Sequence, residues 1–349
     1  MEILENVRLA DYTTLGVGGA ARCFAAATSE QQVIEALRWA RERSLAIFVL
    51  GGGSNLLVSD TGFDGLVLKI AIAGLECREE RGARIFSAGA GLEWDSVVAR
   101  AVAENCAGVE CLSGIPGSVG GTPVQNVGAY GQDVSETIAR VAAVDMETLR
   151  PVEFEASACG FEYRRSRFNT SERGRYAITR VEYALRPAGA PKLAYADLQR
   201  RFPDAAPTLA EVRKAVLAIR RSKGMVLDEN DPESRSAGSF FKNPVVRQSV
   251  YERIAQCATG AVPYYPAGDG KVKLAAAWLI EQAGISKGFA LGPAGISAKH
   301  TLALVNRGGT RAEDIILLMQ FVQRRVRERF GVELDPEPVM LGFCDNNRP

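Results

Sequence analysis

The chain has 349 residues, of which 47% are hydrophobic and 24% are charged, values that fit a globular protein and exclude disordered and fibrous classes. Its basic and acidic residues number 42 and 41 and leave a net charge of +1, so no strong field of one sign draws the chain to nucleic acid or to an anionic membrane. We expect two or three domains, because a single hydrophobic core stops growing at about 250–300 residues.

Seven cysteines are scattered without a C-x-x-C spacing, and no histidine lies near them to complete a zinc site. We therefore expect no metal, and reduced thiols in a cytoplasm. No apolar stretch reaches about 18 residues, and the N-terminus lacks the form of a signal peptide, so we expect no membrane segment. Because His300 is the single histidine, acid–base chemistry is expected to fall mostly to serine, glutamate, tyrosine or lysine.

The first part of the chain alternates helical and extended patterns. A helix is predicted from Thr28, with a capping box of Thr28 and Gln31, and a second helix is predicted over 92–105. The apolar run 45–50 is typical of a buried strand. The other predicted strands are 66–70, 84–88, 141–146, 151–156 and 176–185.

From residue 208 the pattern changes. Thr208 and Glu211 form a capping box for a helix that ends in Arg220, Arg221 and Lys223, cations that complement the helix dipole. The polar run 224–236 is predicted to be a linker or a mobile loop, so a boundary near residue 225 is expected, followed by a smaller α+β domain. The elements predicted after it are helices over 273–284 and 310–330, the latter closed by Gly331, and a strand over 300–306.

Three glycine-rich stretches bear on ligand binding. The spacing G-x-G-x-x-A at Gly16, Gly18 and Ala21 does not follow a buried strand, so a Rossmann turn is not favoured. The sequence GGGSN, residues 51–55, follows the apolar run, and its backbone amides suit phosphate oxygens, although a tight turn without a ligand is the alternative. The stretch 113–131 mixes glycines with apolar residues, and a buried loop of this kind needs partners for its polar groups. Two such loops indicate a nucleotide cofactor of the size of FAD, with two purely structural loops as the alternative.

Several polar side chains are weak candidates by themselves. Arg164 in EYRRSRF can clamp a carboxylate, but a solvated charge cluster is the commoner case. Lys223 and Tyr195 can hold a phosphate. Ser239 in GSFFKNP stands beside two phenylalanines that can exclude water, and the prolines flanking Glu337 can direct its carboxylate inward.

Five motifs occur together in order: GGGSN, SGIPGSVGGTPVQNVGAYG, YRRSRF, AGSFFKNP and LDPEP. These motifs make the chain resemble the UDP-N-acetylenolpyruvoylglucosamine reductase (MurB) family over nearly its whole length. The resemblance is to the first type of this family, which has the longer chain. The resemblance implies an α+β protein with a FAD-binding fold of the vanillyl-alcohol-oxidase (PCMH) type, built of two α+β subdomains and a C-terminal α+β substrate-binding domain. The implied first FAD-binding subdomain comprises residues 1–70, with 338–349 returning to it. The second FAD-binding subdomain is 71–224, and the substrate-binding domain is 225–337.

The resemblance also implies roles for residues. Ser239 is similar to the proton donor, and Arg164 and Glu337 resemble the pair at the enolpyruvyl carboxylate. The implied substrate-binding residues are Tyr163, Tyr195, Lys223 and Asn243. The implied FAD-binding residues are Gly51, Gly52, Gly53, Ser54, Asn55, Leu56, Ser113, Ile115, Pro116, Gly117, Gly120, Gly121, Gln125, Asn126, Gly128, Ala129, Tyr130 and Ile178.

We therefore expect non-covalent FAD, NADPH as reductant, a UDP-sugar enolpyruvyl ether as substrate, a bacterial cytoplasmic location, no nucleic-acid or membrane partner, and a monomer. The chain departs from the family pattern at DYTTLGVGG near the N-terminus, where adenine-side contacts are expected, and at Pro338 and Val339 after Glu337. An alcohol or aldehyde oxidoreductase of the same fold is the alternative enzyme, and a nucleotide-binding sensor is the non-catalytic alternative.

Overall fold

The computed structural model describes residues 1–203 and 206–343. Its helices are α1 (Glu30–Glu42), α2 (Trp94–Ala103), α3 (Gly121–Gln125), α4 (Ala196–Arg201), α5 (Leu209–Ser222), α6 (Gln248–Cys257), α7 (Ala276–Gln282) and α8 (Ala312–Phe330). Its strands are β1 (Leu4–Arg8), β2 (Ala20–Ala27), β3 (Ala46–Leu50), β4 (Leu56–Val58), β5 (Phe63–Ile70), β6 (Leu75–Glu80), β7 (Ala83–Gly89), β8 (Cys106–Ala107), β9 (Gly128–Ala129), β10 (Gln132–Asp133), β11 (Ile138–Asp145), β12 (Arg150–Glu155), β13 (Tyr176–Pro187), β14 (Val245–Arg247), β15 (Tyr264–Pro266), β16 (Lys271–Leu274), β17 (Ala290–Leu291), β18 (Ala294–Ile296), β19 (Leu304–Asn306) and β20 (Val339–Leu341).

The chain divides into two compact units. The first comprises residues 1–7, 20–53 and 63–226, and the second comprises 8–19, 54–62 and the chain from Leu227 onward. Within the predicted segment 338–349, residues 344–349, and Cys344 with them, lie outside the described residues. The division into two flavin subdomains and a substrate domain stays a prediction.

The first sheet of the first unit has the strand order β1–β2–β5–β3, with β2 and β3 each parallel to β5. Leu66, Val67 and Leu68 in β5 are fully buried because this strand has a neighbour on each side. The prediction of a buried strand at 45–50 was right about the strand and wrong about its burial. Only Leu50 of β3 is buried, since β3 is an edge strand of the sheet.

Helix α1 covers this core with Val33, Ala36, Leu37 and Ala40. The predicted cap at Thr28 was displaced by one residue, because the Ser29 side chain accepts the hydrogen bond from the Gln32 N–H. The serine therefore satisfies one of the amides that a helix N-terminus leaves without an intrahelical partner.

The second sheet of the first unit is antiparallel, in the order β12–β11–β13–β7–β6, with β8 paired to β13. The predicted strands at 84–88, 141–146, 151–156 and 176–185 all fall in this sheet. Helix α2 contributes Trp94, Val97, Val98 and Ala101 to the same hydrophobic core. The first sheet also contributes to this core, and the two sheets form one layered unit.

The second unit has a core of its own, to which α7 and α8 contribute Leu279, Ile280 and Val322. The predicted helix over 273–284 begins only at Ala276, because 271–274 forms strand β16, paired with β14 and β15. Helix α8 ends at Gly331, whose φ of 66° is the left-handed conformation that glycine adopts without strain.

Two further predictions for the second unit needed correction. The strand predicted over 300–306 forms only at 304–306, because the preceding residues make a turn. The polar run 224–236 is not a solvated linker throughout, since Ser234 is buried and its hydroxyl donates to the carbonyls of Asp228 and Asp231. Across 1–203 and 206–343, no helix is both long and apolar enough to span a membrane.

Candidate active site

Two glycine loops of the first unit are in direct contact. The loop Gly51–Gly53 follows β3, and Gly117 lies in the second glycine segment. A β-carbon added to Gly52 would lie 2.5 Å from Cα of Gly117 and 2.7 Å from N of Ser118. No side chain fits at this position, so backbone is brought against backbone. The contact therefore requires glycine at position 52.

Ser118 identifies a ligand-facing point in this contact. Its Oγ is buried and has no hydrogen-bond partner within the described residues, and a β-carbon on Gly51 would come within 2.8 Å of it. A buried hydroxyl without a partner loses free energy unless a bound group supplies the hydrogen bond. Lys69 donates to the Gly51 carbonyl at 3.2 Å, and burial lowers the pKa of its ammonium group. The sequence-based list of cofactor residues missed both Ser118 and Lys69.

The start of the second glycine segment is held by a partly buried ion pair. Asp95 in α2 accepts a hydrogen bond of 2.6 Å from the Gly114 N–H and two bonds, of 2.6 and 2.7 Å, from Arg213 in α5. Burial pushes the pKa of the Asp95 carboxyl upward, but the bonds from Arg213 and Gly114 outweigh it, and its pKa lies below the usual range. The ion pair therefore anchors the loop by one backbone amide.

Arg220 anchors the same loop from the other side. Its Nε donates to the Gly114 carbonyl at 3.2 Å and its Nη2 donates to the Met225 carbonyl at 2.6 Å. The sequence analysis placed Arg220 among the cations that complement the dipole at the end of its helix, but the side chain is buried, and burial lowers its pKa. The correction arises because the end of α5 packs against the glycine segment, which periodicity alone does not reveal.

The far end of the glycine segment turns through Asn126, whose φ of 41° is left-handed. The Asn126 side chain donates to the Glu162 carbonyl at 2.9 Å and accepts from the Ser135 N–H at 3.2 Å. The side-chain amide of Asn126 is therefore hydrogen-bonded to backbone groups of two other segments. We predicted that Asn126 binds FAD, and that contact stays a prediction.

Arg164 is bound to this end of the segment. Its Nη2 donates to the Gly128 carbonyl at 2.6 Å, and its Nη1 donates to the Asn126 carbonyl at 3.3 Å. Its own φ of 55° is rare for a residue with a side chain, and such strain is concentrated at functional sites. The guanidinium lies 5.3 Å from the centre of the exposed Tyr163 ring. Arg164 is thus a half-buried cation fixed to the second glycine segment.

Three predicted residues converge near the end of α5. The rings of Tyr130 and Tyr195 meet edge to face, with centroids 5.3 Å apart, and the Lys223 ammonium lies 5.9 Å from the Tyr130 ring centre. The Lys223 Nζ also lies 3.5 Å from Oδ2 of Asp197. Burial raises the pKa of Tyr130 to about 12. The cluster offers one cation and two hydroxyl groups, a set suited to phosphate oxygens.

In the second unit, Ser239 and Glu337 lie on neighbouring backbone segments. The Glu337 N–H donates to the Phe240 carbonyl at 2.8 Å, and the Lys242 N–H donates to the Asp335 carbonyl at 2.9 Å. The two segments therefore pair as short antiparallel stretches. Asn55 adds a third contact, because its Nδ2 donates to the Glu337 carbonyl at 3.3 Å. The structure thus brings together three residues that are remote in the sequence.

The Ser239 side chain contacts a residue that the sequence analysis did not connect with it. Its Oγ lies 3.3 Å from Nε2 of His300. We had expected acid–base chemistry to fall mostly to residues other than histidine, and the distance of His300 along the chain from GSFFKNP hid the contact. A signal was available in principle, since His300 is followed by the strand β19, which can carry it into the core of the second unit.

The remaining predicted residues have mixed surroundings. Asn243 accepts the Ala276 N–H at 2.9 Å and so caps α7, which leaves its Nδ2 end as the donor that can reach an anion. Phe240 and Phe241 are fully buried with ring centroids 5.5 Å apart, as expected for an apolar wall.

Ile178 in β13, a predicted cofactor residue, is buried in the core of the first unit. Gly51 to Gly53 belong to the first unit, whereas Ser54, Asn55 and Leu56 belong to the second.

The close-packed glycine loops and the buried hydroxyl of Ser118 fit FAD, whose diphosphate needs backbone amides and whose ring needs polar partners. Residues 21–148 match the model of the FAD binding domain family. The fold and the site thus define a flavin-dependent oxidoreductase with a separate C-terminal domain. Residues 231–341 match the model of the UDP-N-acetylenolpyruvoylglucosamine reductase C-terminal domain.

Similar proteins identify the family. The chain is 47% identical to the UDP-N-acetylenolpyruvoylglucosamine reductase of Thermobifida fusca, over 97% of each chain. It is 46% identical to that of Salinispora arenicola, over 95% of this chain and 94% of the relative. The crystal structure of UDP-N-acetylenolpyruvylglucosamine reductase (MurB) from Thermus caldophilus matches with a TM-score of 0.64 and 27% identity, covering 97% of this chain and 98% of that one. The chain belongs to the UDP-N-acetylenolpyruvoylglucosamine reductase family.

Membership confirms the predicted family, the α+β FAD-binding fold and FAD as the cofactor. It also identifies the chain as an oxidoreductase, and the alternative alcohol or aldehyde oxidoreductase is not favoured by the relatives. The roles of individual residues stay predictions.

Proposed function

We propose that this chain reduces the enolpyruvyl group of UDP-N-acetylenolpyruvoylglucosamine to give UDP-N-acetylmuramate, with NADPH as the reductant. When bound, FAD supplies a carrier that takes a hydride from NADPH and passes it to the substrate. The protein must then hold the substrate, stabilise the negative charge that develops beside its carboxylate, and deliver one proton.

The observation that carries the proposal is the backbone pairing of the segment around Ser239 with the segment around Glu337. It presents a hydroxyl and a carboxyl group from neighbouring stretches of chain in a family whose members have this activity in their names. Ser239 gives a proton to the carbon that carries the carboxylate. Glu337 lies beside the serine segment and orients the substrate carboxyl group.

Arg164 supplies the positive charge. A guanidinium binds a carboxylate through parallel hydrogen bonds and favours the charge that accumulates on it in the transition state. Its two bonds to carbonyls of the glycine segment fix the group in position before substrate arrives. Because the guanidinium is already in position, no free energy is spent on reorienting it during the reaction.

Tyr195 and Lys223, which both pack against the Tyr130 ring, are proposed as the substrate diphosphate site. Lys223 supplies a point charge, and the 36% exposed Tyr195 can reach phosphate oxygens with its hydroxyl. Tyr163 and Asn243 complete the proposed substrate contacts. A monomeric, cytoplasmic enzyme without a nucleic-acid or membrane partner remains part of the proposal. The net charge of +1 supports the absence of those partners, and the scattered cysteines support a cytoplasmic location.

The test is anaerobic stopped-flow absorbance of the purified flavoprotein. NADPH should bleach the flavin band, and UDP-N-acetylenolpyruvoylglucosamine should then restore it with formation of UDP-N-acetylmuramate. UDP-N-acetylglucosamine, which lacks the enolpyruvyl group, is the matched control and should leave the flavin reduced. A flavin that NADPH fails to bleach, or one that both sugar nucleotides reoxidise equally, contradicts the proposal.

A further inference from the structure

His300 lies in the turn between β18 and β19, and its Nε2 is 3.3 Å from the Ser239 hydroxyl oxygen. It is the single histidine of the chain. Both residues are half-buried members of the second unit. Imidazole is the side chain best able to give up and regain a proton near neutral pH.

Backbone hydrogen bonds fix this contact. The Phe240 N–H donates to the Leu302 carbonyl at 2.8 Å, so the residue after Ser239 is tied to the chain two residues after His300. The His300 N–H donates to Oγ of the fully buried Ser297 at 3.3 Å. The Ala303 N–H donates to the His300 carbonyl at 3.0 Å, which closes the turn. The imidazole is therefore held beside the serine by the fold of both segments.

The charged groups around the turn have partners of their own. Lys299 donates to Asp231 at 2.8 Å, and Glu233 accepts the Ala298 N–H at 2.7 Å. Asp335 and Glu337 are the titratable residues on the segment paired with Phe240, and Lys242 lies on the serine segment itself. Asp231 and Glu233 thus hold the turn that carries the imidazole.

The number of hydrogens on the serine hydroxyl determines the direction of the hydrogen bond between Ser239 and His300. Serine has one hydroxyl hydrogen, and a serine that protonates a substrate carbon must point that hydrogen at the carbon. Its oxygen must then accept the hydrogen bond from the imidazole, which places a proton on Nε2. The opposite arrangement, with the serine donating to the ring, turns the proton away from the substrate.

We propose that His300 positions Ser239 and resupplies its proton, an inference that rests on the proposed function. As the serine O–H bond breaks and the new C–H bond forms, the Nε2–H bond of the imidazolium breaks and a new O–H bond forms on Ser239. The imidazolium becomes a neutral imidazole and regains a proton from water. Because no alkoxide is left behind, the weak acidity of a serine hydroxyl no longer limits the step.

Nuclear magnetic resonance tests the direction of the bond without turnover. The flavoprotein is labelled with ring-¹⁵N histidine and any histidine tag is removed, so that proton–nitrogen correlations report one imidazole. The expected result is a proton on Nε2, with the Nε2 resonance moving more than that of Nδ1 in Ser239→Ala. A neutral ring with its proton only on Nδ1, or an imidazole that Ser239→Ala leaves unchanged, overturns the inference.

Kinetics test the proton supply. In His300→Ala, reoxidation by the enolpyruvyl sugar nucleotide should slow by about 10-fold or more, since general acid catalysis contributes at least that much. Added imidazole should restore part of the rate. His300→Gln keeps a hydrogen-bond donor but cannot release a proton, so it should stay slow. Full activity of either variant contradicts the inference.

The controls separate this inference from the proposed function. Lys287→Ala removes an exposed lysine of the second unit that takes no part in the turn, and it should reoxidise at the wild-type rate. Flavin reduction by NADPH should be unchanged in every variant, and retained flavin absorbance shows that the variant has folded. If wild-type protein fails to use the enolpyruvyl substrate, the proposed function fails, whereas normal wild-type turnover with an unaffected His300→Ala overturns only the role of His300.

Discussion

Gly52 packs against Gly117 so closely that a β-carbon on Gly52 would lie 2.5 Å from the Gly117 Cα. The neighbouring atoms belong to backbone, which cannot rotate away as a flexible side chain can. The contact joins the two glycine loops that we assign to FAD. It brings together two loops that lie more than 60 positions apart in the sequence.

Gly52→Ala should therefore weaken FAD binding by about 5- to 150-fold, because overpacking against backbone costs on the order of 1–3 kcal/mol. No left-handed φ is involved at Gly52, so the substitution tests the contact alone. Flavin fluorescence during titration of the FAD-free protein measures the affinity. Gly260→Ala, where an added β-carbon meets nothing within 4 Å, is the control and should bind FAD normally. Equal affinity in the two variants would show that the loops do not form the cofactor site.

Ser239→Ala should slow reoxidation of the flavin by the enolpyruvyl substrate by about 10² or more, because the proton donor is lost. Reduction by NADPH should be almost unchanged, since that step needs no proton from the serine. The two half-reactions are measured separately by stopped flow. Ser249→Ala, on the exposed face of α6, is the control. If both half-reactions of Ser239→Ala slow alike, the serine serves the flavin rather than the substrate.

Lys223→Ala should raise KM for the UDP-sugar substrate by about 10- to 100-fold, the equivalent of one charge-assisted hydrogen bond to phosphate. Steady-state kinetics at saturating NADPH measure the change. Lys214 is an exposed lysine of the same helix α5, and Lys214→Ala should leave KM at its wild-type value. A fall in flavin content with an unchanged KM would instead place Lys223 at the cofactor.

Asp95→Asn should lower the free energy of unfolding by about 3 kcal/mol, because it leaves the largely buried Arg213 guanidinium without its counter-charge. Urea unfolding followed by circular dichroism measures the loss. Asp64→Asn breaks the exposed pair with Arg22 and should change stability by less than about 1 kcal/mol. Similar losses in both variants would mean that Asp95 does not anchor the Gly114 loop.

The same residue predicts a pH dependence. The pKa of the Asp95 carboxyl in the folded protein lies below its ordinary value. Its contribution is therefore complete above the unfolded pKa, near 3.9, and is lost as the pH falls through the lower folded pKa. The stability difference between wild type and Asp95→Asn should be constant at neutral pH and shrink in strong acid. A difference that grows with acidity would contradict the ion-pair assignment.

Local patterns in the sequence predicted several elements well. The capping box of Thr208 and Glu211 and the glycine that ends α8 are confirmed, because each depends on residues three or four positions apart. The five motifs predicted the family and its cofactor for a similar reason, since long stretches of specific residues need no tertiary information to be recognised.

Only the tertiary structure decided which distant residues meet. The contact of His300 with Ser239 spans 61 positions, and that of Arg220 with Gly114 spans 106. Periodicity shows which face of an element is apolar, but not which other segment covers it. The burial of β3 was overestimated for this reason, because its place at the sheet edge depends on the order of strands. The local sequence was therefore enough to predict helices, turns and the family. The partners of the buried charges and of the Ser239 hydroxyl depend on how distant elements pack together, which local sequence does not determine.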